Sequence, residues 1–81
     1  MAQMVLARTG ASAAVLELLG TICLARGELS AARDQLRKAV YLEPGREAAL
    51  LQLAAISERM GDAGLAQRYR DRAQRIHRSE E

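Results

Sequence analysis

Apolar residues recur every three to four positions in four runs broken by glycine or proline, the spacing that places them on one face of a helix. In the first run Leu16, Leu19, Ile22 and Cys23 follow Ser12, a good N-cap, and the pattern stops at Gly27, which can take the left-handed conformation that ends a helix. Glu28 is expected to cap the second run, whose apolar positions are Leu29, Ala32, Leu36, Ala39, Val40 and Leu42. Pro44 ends that run, because it has no N–H and pushes Glu43 out of the helical region. The third run holds Leu50, Leu53, Ala54, Ile56 and Ser57 up to Gly61; the fourth, capped by Asp62, holds Leu65, Ala66, Tyr69, Ala73 and Ile76.

The second pair of runs repeats the first. A shift of 34 positions lays Ala14 on Ala48, Leu16 on Leu50, Leu19 on Leu53, Ile22 on Ile56, Gly27 on Gly61, Ala32 on Ala66 and Ala39 on Ala73. These are the places where a helical hairpin needs apolar, small or turn-forming residues, so the period predicts a stacked helix-turn-helix repeat. By the same offset Ala2, Val5 and Leu6 answer to Leu36, Ala39 and Val40, which makes residues 1–9 the expected end of a preceding helix.

Composition agrees. Sixteen Ala and twelve Leu, with two Tyr and neither Phe nor Trp, favour helix over strand and predict an all-α chain. With 81 residues, only about 60% of the surface exposed by the unfolded chain is buried on folding, so stability should be marginal. One Cys cannot close an internal disulfide, and His77, with no second His and no nearby Cys, cannot assemble a zinc site. A partner is the remaining source of stability.

The residues Leu16, Leu19, Gly20, Cys23, Gly27, Ala32, Leu36, Ala39 and Pro44 fall in register on the pattern of the tetratricopeptide repeat (TPR) family, which the chain resembles over residues 13–78. The resemblance implies a right-handed α-solenoid fragment, a single module spanning 1–81. Within it, 13–44 would be repeat 1 and 47–78 repeat 2, whose last helix is the C-terminal cap. Departures fall at Cys23 and Ser57 in place of the family's Tyr, Leu16 and Leu50 in place of its Trp, Arg70 in place of a large apolar residue, and Arg78 in place of Pro. A narrower resemblance lies between Arg37 and Arg75. The run from Arg37 to Pro44, the Gly61–Asp62 turn and the Arg-rich last helix resemble the C-terminal repeat region of chemotaxis-type receptor methyltransferases. In that family a separate catalytic domain uses S-adenosylmethionine to methylate receptor glutamates. Two full repeats and a truncated opening helix fit an excised segment of a longer protein, since about three repeats are usually needed for stability.

The candidate chemistry is sparse. No Ser/His/Asp or Cys/His arrangement, phosphate-binding Gly-rich loop or carboxylate pair is recognisable, so the chain is expected to be non-catalytic and to need no cofactor or metal. Cys23 is expected to be a buried structural thiol and His77 a solvated residue of the last turns. The stretch from Ala11 to Ala25 is shorter than the roughly 20 residues of a membrane span and contains Glu17. No small-x-small cleavage site marks a leader, so the expectation is cytoplasmic with no membrane partner. The Arg run at 68, 70, 72, 75 and 78 is the loudest charge feature, but a net charge of only +2, Asp71 placed to pair with Arg75, and the scarcity of aromatics argue for a solvated face rather than nucleic-acid binding.

By the resemblance, the concave peptide-binding groove is formed by Ala14, Glu17, Leu18, Thr21 and Leu24 in repeat 1 and by Ala48, Leu51, Gln52, Ala55 and Glu58 in repeat 2. These are small, apolar or acidic, and the Lys and Asn that clamp a C-terminal carboxylate in some relatives are absent. The function expected is a non-catalytic protein–protein interaction module, the docking or regulatory segment of a bacterial chemoreceptor glutamate methyltransferase, taking up an amphipathic helix or the parent's own domain. The alternatives are a stand-alone adaptor that homodimerises and a helical nucleic-acid-binding protein.

Overall fold

The computed structural model describes residues 12–79, which form four α-helices and no strand: α1 (Ala13–Ala25), α2 (Leu29–Leu42), α3 (Glu47–Arg59) and α4 (Ala63–Ser79). The expected helical stub at residues 1–9 lies outside the described residues. Helices α1 and α2 pack together as one hairpin and α3 and α4 as a second, with α2 against α3 joining them. The 34-residue period is visible in the backbone itself: α1 and α3 begin 34 residues apart, and so do α2 and α4.

The turns repeat in the same detail. Gly27 and Gly61 take φ of 80° and 88°. The Glu28 N–H donates to the carbonyl of Cys23 and the Gly27 N–H to that of Leu24, while Asp62 and Gly61 donate in the same way to Ser57 and Glu58. Both turns are Schellman motifs, in which a left-handed glycine lets two backbone donors satisfy the last helical carbonyls. Ser12 caps α1 by accepting the Val15 N–H at 3.3 Å, and Asp62 caps α4 by accepting that of Leu65 at 3.1 Å. Glu28 does not cap α2 with its side chain; its carboxylate lies 3.8 Å from Arg26 instead. Glutamate is one methylene too long for the tight return that Asp and Ser make. Helix α2 ends at Leu42, as Pro44 requires, and Glu43 has left helical geometry.

The core runs between the layers as Leu16, Leu36, Val40, Leu50, Leu53 and Ile56 with Ala13, Ala32, Ala39, Ala49 and Ala73. Alanine and glycine let the helices approach closely. A methyl group added at Gly20 would stand 2.6 Å from Cγ of Leu36 and 3.3 Å from the carbonyl oxygen of Ala32.

The two hairpins differ where the sequence makes them equal. Leu53 and Ile56 are 1% and 0% exposed, whereas their counterparts Leu19 and Ile22 are 42% and 44% exposed; Val15 is 38% exposed where Ala49 is sealed. The expectation that Leu19 and Ile22 belong to the core is therefore corrected. Helix α3 has α4 on one side and α2 on the other; α1 has α2 and a slight contact with α3. Among the described residues, the same residue at the same repeat position is buried where a helix lies beyond it and bare where none does. Leu42 is also exposed, and Leu24, expected among the surface leucines, is half-buried against the core.

Candidate interaction surface

Helical phase sorts the ten expected groove residues into two sets. Ala14, Leu18 and Thr21 stand at i, i+4 and i+7 on α1, and Ala48, Gln52 and Ala55 occupy the equivalent positions on α3. All six are accessible, Leu18 most prominently of the leucines. The stripes are tied across the helices by the Thr21 hydroxyl, which lies 2.9 Å from the carbonyl oxygen of Glu17 and 3.0 Å from the side-chain oxygen of Gln52 and shares its proton between them.

Glu17, Leu24, Leu51 and Glu58 sit one helical step aside. Glu17 accepts from Nε of Arg46 at 2.8 Å, and the same guanidinium donates through Nη1 to Glu43 at 2.8 Å. These hydrogen bonds, Glu17's before Glu43's, raise the Arg46 pKa above its ordinary value. Arg46 is also the N-cap residue of α3, so this bridge pins the inter-hairpin loop to α1. Glu58 pairs with Arg70 of α4. Both carboxylates of the expected groove are thus engaged within the molecule, and what the α1–α3 surface offers is apolar: Leu18 and three alanines around the Thr21–Gln52 bridge.

Leu51 faces a different place. It lines a shallow cavity of about 300 Å³ with Glu47, Gln67, Arg70, Ala73, Gln74 and His77, on the outer side of the second hairpin. Arg70 and Gln74 occupy the repeat positions held in the first hairpin by Leu36 and Val40, which are buried. Nδ1 of His77 stands 3.8 Å from Glu47, so the residue expected to be simply solvated has a facing carboxylate.

The Arg run does not behave as its spacing suggests. Asp71 accepts from Gln67 at 2.9 Å in place of the expected pairing with Arg75. Arg72 enters a second cleft, lined also by Arg37, Val40, Tyr41, Pro44, Leu53 and Tyr69, on the α2–α4 side. Both tyrosines of the chain and two arginines from different hairpins meet there, with Tyr41 85% exposed. The grouping is not legible along α4 alone, because Arg37 and Arg72 are one repeat plus one residue apart and come together only across the hairpins. Cys23 is half-buried beside the core rather than sealed within it. Among the described residues no group of three or more His, Cys, Asp or Glu could hold a metal, and no helix is long and apolar enough to cross a membrane.

The chain is similar over 70 residues to two curated proteins, each named "Probable biofilm formation methyltransferase WspC". It is 43% identical to that of Pseudomonas aeruginosa and 40% identical to that of Pseudomonas putida, the match covering 86% of this chain in each case. The aligned residues make up 17% and 16% of the lengths of those relatives, so the chain spans about a sixth of the proteins it matches. No family model matches.

Proposed function

We propose that this chain is a non-catalytic docking segment, built of TPR-type hairpins, of a chemoreceptor-type glutamate methyltransferase. The observation that carries the reading is the pairing of a 34-residue helical duplication with a 43% match that fills only 17% of a methyltransferase. Most of that relative's length lies elsewhere and has room for the chemistry; the matched part has the architecture of a binding scaffold. Its α1–α3 surface presents Leu18, Ala14, Ala48 and Ala55 beside a polar bridge, a combination suited to the apolar face of an amphipathic helix from a receptor or from the parent's own catalytic part.

The test uses the parent methyltransferase carrying this segment, with receptor cytoplasmic fragments as partners. Changing Leu18 to Ser in the segment should weaken co-sedimentation with the partner and slow methyl transfer to receptor glutamates at limiting receptor concentration, while far-UV helicity stays unchanged. Methyl incorporation by the 81-residue chain alone would refute the non-catalytic reading. Undiminished partner affinity in the variant would remove the α1–α3 surface as the docking site.

A further inference from the structure

Three shallow clefts on the α2–α4 side share their walls. Arg37 lines both the cleft it forms with Asp34 and Lys38 and the one that holds the two tyrosines, while Pro44 and Arg72 line that second cleft and a third with Arg75, Ile76 and Ser79. The shared residues make the three one groove. It runs from Asp34 to Pro44 beside α2 and from Tyr69 to Ser79 beside α4, a reach of about 15 Å at the helical rise. We infer that this groove binds an acidic segment of a partner protein in extended form, with carboxylates on the arginines and apolar side chains on Pro44, Tyr69 and Ile76. None of its lining residues belongs to the Leu18 stripe on α1 and α3, so binding here stands or falls separately from the docking proposed above.

Charge complementarity fixes the sign of the occupant. Arg37, Lys38, Arg72 and Arg75 stand along the groove against one carboxylate among the described lining residues, Asp34, which lies at one end and 3.6 Å from Arg33. Among the described residues none of those four cations has an ion-pair partner, whereas Arg46 and Arg70 are held by Glu17, Glu43 and Glu58. Arg72 is also half-buried, and a cation partly withdrawn from water gains more from an incoming anion than a fully solvated one. Two arginines from different hairpins can each fork onto a carboxylate. The floor fixes the class. Pro44 and Ile76 are aliphatic, and Tyr69 is half-buried between the hairpins. A nucleic acid would use the cations and the exposed ring of Tyr41 but leave that floor unmatched, while an acidic peptide with apolar side chains uses both.

The chain carries its own reporter, since it has two tyrosines and no tryptophan and both tyrosines line the groove. The full 81-residue chain is titrated with a capped peptide of about eight residues, long enough when extended to overrun the groove. The peptide carries glutamates on either side of a leucine and a phenylalanine; its glutamine counterpart and single-stranded oligothymidine are titrated in parallel. The expected result is a saturable change in tyrosine emission with the glutamate peptide, weakened by added salt. Binding should be about tenfold weaker for the glutamine peptide and for the Arg37→Gln, Arg72→Gln double variant, in keeping with the loss of two exposed charge pairs. Arg59→Gln with Arg68→Gln removes the same charge outside the groove and should leave affinity within about twofold. Circular dichroism checks that each variant keeps its helicity, and Arg37→Gln alone, at an exposed position, serves with about threefold weakening if the double variant fails to fold. No saturable binding of the glutamate peptide, equal affinity for the glutamine peptide, or an equal loss in the Arg59 and Arg68 variant overturns the proposal. So does oligothymidine binding more tightly than the peptide and depending on Arg37 and Arg72, which would assign the groove to nucleic acid.

Discussion

Replacing Gly20 by alanine sets two effects of similar size against each other. In an exposed helix interior the change is favourable by about 0.8–1.0 kcal/mol, since glycine loses more backbone freedom on folding. Here the added methyl would sit 2.6 Å from Cγ and 3.0 Å from Cδ2 of Leu36, and 3.3 Å from the Ala32 carbonyl oxygen. Leu36 is fully buried and has nowhere to swing, and the carbonyl belongs to the backbone of α2. Overpacking of this kind costs about 1–3 kcal/mol, so the net change should be a destabilisation of about 1 kcal/mol. With a urea slope of about 1 kcal/mol per molar for a small domain, the midpoint should drop by about 1 M when helicity is followed by circular dichroism. The equivalent position in the second hairpin is a built-in control. Ala54 is buried there, and the repeat position of Leu36 is held by the partly exposed Arg70. Ala54→Gly should therefore also lower the midpoint, so that the two hairpins respond in opposite senses to the same pair of residues. Leu36→Ala alone should cost about 2–5 kcal/mol and markedly less when made in the Gly20→Ala background, where the methyl fills part of the space. A midpoint that rises in Gly20→Ala, as it would for an exposed helical glycine, would refute the close crossing of α1 and α2.

Three other outcomes follow from the same packing. Ala32→Leu, at a sealed position on that crossing, should cost about 1–3 kcal/mol against little for Ser30→Leu on the exposed side, and equal urea midpoints would displace the register. Gly27→Ala meets no neighbour within 4 Å but sits at φ 80°, so it should cost about 1–2 kcal/mol from backbone strain alone; a neutral thermal midpoint would mean the turn relaxes freely. Arg70→Leu restores on α4 the apolar residue that Leu36 supplies on α2, at the loss of the Glu58 ion pair, and should shift the chain toward dimers in analytical ultracentrifugation; a strictly monomeric variant would show that polarity at this position does not limit stacking.

The sequence by itself determined the periodic features. Every helix boundary near a glycine or proline was legible, because the left-handed turn at Gly27 and Gly61, the missing N–H of Pro44 and the short side chains of Ser12 and Asp62 act within a few residues of themselves. The offset of 34 fixed which residues are equivalent. Tertiary structure decided what equivalence left open. Leu19 and Leu53 are the same residue at the same repeat position, yet one is bare and the other sealed, since burial depends on whether a neighbouring helix lies beyond the face and a local pattern carries no record of its neighbours. For the same reason the engagement of Glu17 by Arg46 and of Glu58 by Arg70, and the shared cleft of Arg37, Arg72 and the two tyrosines, became visible only after folding. Each joins residues far apart along the chain, and the distance that matters between such charges is measured through space.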